Sequence, residues 1–293
     1  MNRLSDARRL GAAVLTVVMT ALALPEAFAG NITIKGSDTL LILSQRWAEE
    51  YMKKNPGITI QVTGGGTGTG IAALINGTTD FANASRKMKS EEKAAARAAK
   101  HEPVEIPVAM DALSIVVNKS NPVASLSLTQ VGKIYSGYVN NWKQVGGPDH
   151  SIIRYSRESS SGTYSFIKDE VLLGRDYAPD CQTMPGTSAV AEAVARDPWG
   201  IGFGGVSYFA KAADLKILSI KKTETGPAIS PLGPDGQPND SVVYDNSYGL
   251  SRYLFMYAVG QPTGDKKAYS DWILGPEGQA IVKQVEYIPL PRK

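Results

Sequence analysis

The run Arg157-Glu158-Ser159-Ser160-Ser161-Gly162-Thr163-Tyr164 places a guanidinium, several hydroxyls and a glycine within eight residues. It follows the apolar, β-leaning Ile152, Ile153 and Tyr155, and precedes Phe166, Ile167, Val171 and Leu172 at helical spacing. The expected order is strand, hydroxyl-rich turn, helix. A helix opening near Ser161 offers free backbone N–H groups and the positive end of its dipole. Hydroxyl donors and Arg157 add to these, which makes a receptor for a small oxyanion. The same residues would also serve as an ordinary Ser N-cap beside a surface arginine. Repetition separates the two readings.

Two earlier turns have the same make-up. Asn31–Lys35 alternates like a strand, breaks at Gly36-Ser37-Asp38-Thr39, and is followed by Leu40, Leu43, Trp47 and Tyr51 at helical spacing. ITIQVT at 58–63 reads as a second strand, closed by Gly64-Gly65-Gly66-Thr67-Gly68-Thr69-Gly70 before a short helix. Glycines let backbone amides approach an anion closely, and Thr67 adds a hydroxyl. The run lacks the Gly-Lys-Ser/Thr ending of a nucleotide loop. A short buried strand, Asp80–Ala84, then delivers Ser85-Arg86 at its carboxyl end, where open α/β sheets bind ligands. Three donor turns and two arginines, Arg86 and Arg157, suit one tetrahedral anion, because a guanidinium fork matches oxyanion geometry.

The elements that must position these turns are short strands alternating with helices, so the fold class is α/β. Two strands are expected on either side of Asp111, a helix followed by a Gly-rich and aromatic turn within 128–147, and a long loop or hairpin from Thr223 to Asp240. The segment VVYDNSYGLSRYLFMYAVG reads as β-leaning with a break at Asp245-Asn246, and a helix pair interrupted at Gly275-Pro276 closes the chain.

With 293 residues and 43% hydrophobic composition the chain can bury one large or two modest cores. Residues 1–29 read as a secretory signal: Arg3, Arg8 and Arg9, an apolar stretch over 11–24, then Ala27-Phe28-Ala29. That stretch is short of the roughly 20 residues that span a bilayer. Removing residues 1–29 leaves a formal charge of about +2. This is too small a bias for a nucleic-acid partner, and no basic run with interleaved aromatics supports one. Cys181 is the single cysteine, which excludes an internal disulfide; an inert thiol and a monomer are expected. Two histidines, His101 and His150, form no cluster with cysteine, so neither a metal nor a cofactor is expected.

GSDTL at 36–40, NGTTDFANASRKM at 76–88, VVNKSNPV at 116–123, IYSGYVNNWKQVGG at 134–147 and RESSSGTYSFIKDEVL at 157–172 resemble the periplasmic phosphate-binding protein family, the substrate-binding subunits of phosphate ABC transporters. The resemblance covers nearly the whole chain after residue 29. It implies a two-lobe, type II Venus-flytrap fold with a ligand cleft and a hinge crossed twice, near Pro107 to Ala112 and near Tyr244 to Gly249. Lobe 1 is then 30–109 plus 248–293, and lobe 2 is 110–247. It further implies inorganic phosphate as ligand, a membrane permease as partner, a periplasmic location and no catalysis. By matching motifs, the phosphate ligands carry over to Ser37, Asp38, Thr39, Gly66, Thr67, Ser85, Arg86, Arg157, Ser161, Gly162 and Thr163. One departure is Arg86, where well-studied members carry an Asp that accepts the phosphate proton and repels sulfate; others carry Ser-Arg. Asp38 or Glu158 would then have to supply the acceptor, with Asp38 preferred because it lies in a donor turn. Sulfate, molybdate or a phosphonate as ligand, or a Ser161-dependent hydrolase, are the alternatives.

Overall fold

The computed structural model describes residues 30–291; the expected signal segment, 1–29, lies outside them. The chain runs β1 (Gly30–Gly36), α1 (Leu41–Lys54), β2 (Ile58–Thr63), α2 (Thr67–Ile75), β3 (Phe81–Ala84), α3 (Ser90–Ala98), β4 (Pro103–Asn118), β5 (Ser125–Ser127), α4 (Leu128–Tyr135), β6 (Ile153–Arg157) and α5 (Gly162–Phe166). It continues through β7 (Gln182–Met184), α6 (Thr187–Arg196), β8 (Gly200–Gly205), β9 (Leu215–Ile217), β10 (Ser219–Lys221), β11 (Ala228–Ile229), α7 (Asp240–Tyr244), β12 (Ser251–Val259), α8 (Gly264–Leu274) and α9 (Pro276–Gln284). One mixed sheet has the order β2-β1-β3-β12-β4-β8-β6-β7, with β9 also on β4; β11-β10-β5 form a small second sheet. Among the described residues no helix is long and apolar enough to cross a membrane.

The long strand β4 belongs to both halves of this sheet. Its residues from Pro103 to Ala112 pair antiparallel with β12, and those from Leu113 to Val117 pair antiparallel with β8. A bulge between Leu254 and Phe255 shifts the β12 register and bends the pair. Two principal cores follow. Ile32, Ile34, Leu43, Trp47, Leu254 and Tyr269 pack on one side. Leu113, Ile115, Tyr135, Trp142, Phe203 and Tyr248 pack on the other. The result is a two-lobe α/β architecture with a curled sheet.

Asp111 does not divide two strands. It sits inside the single strand β4, because Arg252 on the partner strand neutralises it in register. The β-favouring Val242-Val243-Tyr244 also departs from the β expectation and forms part of α7, whose N-cap Asn239 accepts through its side chain from Ser241 N at 3.2 Å, while Val243 packs in the core. Tertiary burial and a cap outweigh β propensity over so short a segment. The helix after the third donor turn is α-helical only to Phe166 and then widens into a π-turn over Ile167–Val171.

Cys181 is half-buried with Sγ 3.9 Å from the Tyr135 carbonyl, and burial pushes its thiol up to about 11 despite the opposing Arg154 charge. Alkylation by iodoacetamide at pH 8 is therefore expected to be about tenfold or more slower in the folded protein than in the unfolded chain, accelerating as pH rises toward 11. Mass spectrometry of the labelled peptide against time measures this; equal rates would contradict the burial of the thiol.

Candidate functional site

The three donor turns stand at the carboxyl ends of β1, β2 and β6 and meet where the two lobes touch. After β1, Ser37 and a 3-10 turn over Asp38–Leu40 lead into α1. Ser37 and Thr39 are buried, and Ser37 Oγ has no protein partner. Thr39 Oγ1 lies 3.0 Å from Thr163 Oγ1 of the other lobe. Two phenols brace this turn from behind, Tyr208 donating to Asp38 O and Tyr287 to Thr39 O. Burial holds both phenols above their usual range, so they remain donors.

After β2, Gly66 has φ +93°, a region glycine enters without penalty, and α2 starts at Thr67. A Cβ on Gly66 would lie 2.8 Å from Ser160 O, so only glycine permits this approach. Gly68 N donates to Ser160 O at 2.8 Å across the same contact. Thr67 Oγ1 accepts from Ser85 N at 3.0 Å and lies 3.3 Å from Ser85 Oγ, so the second turn and the end of β3 form one hydroxyl pair. In the third turn Ser161 Oγ accepts from Tyr164 N at 3.3 Å, the cap the sequence allows. Gly162 and Thr163 are buried against Thr67, Ser85 and Thr39.

Arg157 ties the lobes together. It is 2% exposed at the side chain; Nη2 donates to Asp38 Oδ2 at 2.6 Å, Nη1 to Thr187 Oγ1 at 3.0 Å, and Nε to Glu158 Oε2 at 3.2 Å. Asp38 Oδ1 accepts from Gly65 N at 2.9 Å. Both Asp38 oxygens are thus engaged, one with each lobe.

Arg86 lines a cavity with Ser85 and Arg252, but its guanidinium is committed elsewhere. Its guanidinium forms a fork with Glu92 of α3, at 2.7 and 2.6 Å, and donates to Lys87 O at 2.9 Å. Burial opposes ionisation of Glu92, but the Arg86 fork and the Lys89 N–H outweigh it and hold the carboxyl below its usual range. The structure therefore brings together Ser37, Asp38, Thr39, Gly66, Thr67, Ser85, Arg157, Ser161, Gly162 and Thr163 and leaves the Arg86 guanidinium paired with Glu92 of α3. A second arginine is present all the same. Arg252, which the sequence reading passed over, donates from Nη2 to Thr163 Oγ1 at 3.0 Å and from Nη1 to Ser85 O at 3.2 Å. Its carboxylate partner is the fully buried Asp111. Arg252 is the lone charge of β12, and Asp111 interrupts the apolar stretch of β4 after Glu105, a pattern that could have paired them.

Neither histidine approaches Ser161. His101 Nδ1 is 2.7 Å from Ile75 O, and His150 stacks on Trp199 with ring centroids 3.9 Å apart. The arrangement concentrates hydroxyls, backbone N–H groups and guanidinium groups of both lobes, a shell fitted to hold an anion.

A family model described as a PBP superfamily domain matches residues 23–277. The chain is similar to the phosphate-binding protein PstS of Pseudomonas aeruginosa, with 33% identity over 92% of this chain and 88% of that protein. It is 32% identical to protein SphX of Synechococcus elongatus, over 100% of this chain and 89% of that one. Among solved structures, a putative phosphate ABC transporter substrate-binding protein with bound phosphate from Clostridium perfringens superposes with TM-score 0.77 at 26% identity, covering 89% of this chain and 100% of that one. An ABC-type phosphate transport receptor from Vibrio cholerae superposes with TM-score 0.69 at 27% identity, with the same coverage.

A Cβ on Gly162 would clash with Thr67 Oγ1 and come within 2.5 Å of Ser85 Oγ, atoms of the opposite lobe. Gly162→Ala is expected to force the lobes apart, raising the radius of gyration in solution scattering and costing the closed form about 1–3 kcal/mol. Scattering and thermal unfolding identical to wild type would show that the three turns are not in contact.

Proposed function

The chain belongs to the PBP superfamily and, within it, to the PstS-like phosphate-binding proteins, and we propose that it captures inorganic phosphate outside the cytoplasm and delivers it to an ABC-type permease. The observation that carries this reading is the Arg157–Asp38 bridge at 2.6 Å, which joins the third donor turn to the first across the lobes. Ligand contacts fall to Ser37 and Thr39 of the first turn, Gly66 and Thr67 of the second, Ser85, and Arg157, Ser161, Gly162 and Thr163 of the third, with Asp38 orienting Arg157. The anion docks on the donors of one lobe, and the other lobe, residues 110–247, swings in and completes the shell. A micromolar dissociation constant corresponds to about −8 kcal/mol, within reach of several charge-assisted bonds after desolvation and closure.

The proposed permease reads closure, so residues on the two lobe tips matter for transport and not for capture. Export by cleavage after residue 29 and a monomeric state complete the proposal. Family membership supports a binding role without turnover, and the distance of both histidines from Ser161 supports it from the side of the site.

Calorimetric titration of phosphate tests the reading. Arg157→Ala is expected to lose about 100-fold in affinity, the worth of hydrogen bonds from a buried charged donor. Its fold is checked by thermal unfolding. A variant that binds like wild type removes the third turn from the site, and a wild type that binds sulfate but not phosphate replaces the ligand.

A further inference from the structure

We propose that the buried Asp111–Arg252 pair is part of the anion site, with Arg252 as its second guanidinium and Asp111 Oδ1 as the acceptor that separates a protonated tetrahedral anion from an unprotonated one. This rests on the phosphate-binding reading above and assigns the roles that the sequence had attached to Arg86 and Asp38.

The two residues face each other where β4 passes between the lobes, as register partners on β4 and β12. Asp111 is fully buried and Arg252 is 6% exposed. Arg252 spends Nε and one Nη2 proton on the same oxygen, Asp111 Oδ2, at 3.0 and 2.7 Å. Its second Nη2 proton goes to Thr163 Oγ1 and one Nη1 proton to Ser85 O. A guanidinium has five N–H groups, which leaves one on Nη1, beside two residues of the donor shell. Burial, and then the charge of Arg157, work against the Arg252 cation, while Asp111 favours it. Arg252 reaches Thr163 and Arg157 reaches Asp38, on either side of the Thr39–Thr163 contact, so an anion held there would be met by both guanidinium groups.

The acceptor follows from which carboxylate oxygen is least well met. Both Asp38 oxygens hold short bonds, from Gly65 N at 2.9 Å and Arg157 Nη2 at 2.6 Å. Glu158 is 36% exposed at its side chain and turned to Arg157 Nε. Asp111 Oδ2 carries the Arg252 fork, whereas Oδ1 accepts only from Val206 N at a long 3.3 Å. Gly205 brings this oxygen to the donor shell: a Cβ built there would lie 3.1 Å from Asp111 Oδ1 and 3.1 Å from Thr39 Cγ2. The groups facing Asp111 are Arg252, the Tyr248 phenol that donates to Leu113 O, and Tyr287, which donates to Thr39 O. With Asp38, Glu158 and Asp111 opposite Arg157 and Arg252 the cluster carries no net positive charge. Selection among dianions then falls to protons: monohydrogen phosphate presents one to Oδ1, and sulfate meets the carboxylate with an unprotonated oxygen. A hydrophobic pair of equal volume would fold as well or better, so stability alone gives no reason for two buried charges here.

Titrate the full chain with phosphate, sulfate and monofluorophosphate, a tetrahedral dianion with no P–OH. Wild type is expected to favour phosphate over both others by about 100-fold or more, since a site built for a hydroxyl rejects an analogue without it. Asp111→Asn, whose amide can donate to the unprotonated oxygen, should weaken phosphate and narrow that gap to about tenfold or less, that is, by at least ~1.4 kcal/mol. Arg252→Lys should weaken phosphate and sulfate in parallel, whereas Arg86→Gln should weaken neither. Asp38→Asn should keep the gap at whatever affinity it retains. Circular dichroism accompanies each variant. If Asp111→Asn does not fold, the outcome is read from Asp38→Asn and monofluorophosphate. The proposal is overturned by a folded Asp111→Asn with wild-type selectivity, by an Asp38→Asn that admits sulfate, or by a wild type that takes monofluorophosphate as readily as phosphate. A wild type that does not bind phosphate at all defeats the function proposed above instead.

Discussion

A buried guanidinium has to be met by acceptors, and in this protein the acceptors of Arg157 and Arg252 lie on both sides of the inter-lobe contact. Arg157 rises from β6 and finds Asp38 beyond β1, while Arg252 rises from β12 and finds Thr163 at the start of α5. Desolvating a cation without such partners would cost several kcal/mol. The closed arrangement of the lobes and the burial of these charges therefore require each other. Glycines at 66 and 162 make the approach close enough, and the phenols of Tyr208 and Tyr287 keep the first turn from yielding.

Much of this was legible before any coordinates. The three turns stand out because hydroxyl and glycine residues interrupt a strand period just before a helical one begins, and backbone geometry leaves such residues few other uses. Ser161 serves as the cap that its position suggested, and β3 delivers Ser85 beside Thr67. Arg86 was less legible. Its partner, Glu92, sits in the first turn of α3, and a fork between residues six apart is geometrically cheap.

Asp111 and Arg252 escaped notice for the opposite reason. They are 141 positions apart, and each looks, in its own segment, like an interruption of an apolar run. At Asp111 this suggested two strands where β4 is continuous. Single charges in strands that otherwise bury themselves are costly. Two such charges of opposite sign in one chain are candidates for each other even when nothing local connects them. The helical Val242-Val243-Tyr244 was hidden by a different cause, the weakness of β propensity against a cap and a core contact.

The continuity of β4 carries a mechanical corollary. One ribbon of sixteen residues serves both halves, and the bulge opposite Leu254 and Phe255 lies within it, so the angle between the halves is set by the twist and bend of that ribbon. A twisted ribbon has a resting angle and a restoring torque. Those are set by side chains along its length, and Asp111 is one of them. The angle between the two halves and the buried ion pair are consequently set at the same place in the chain.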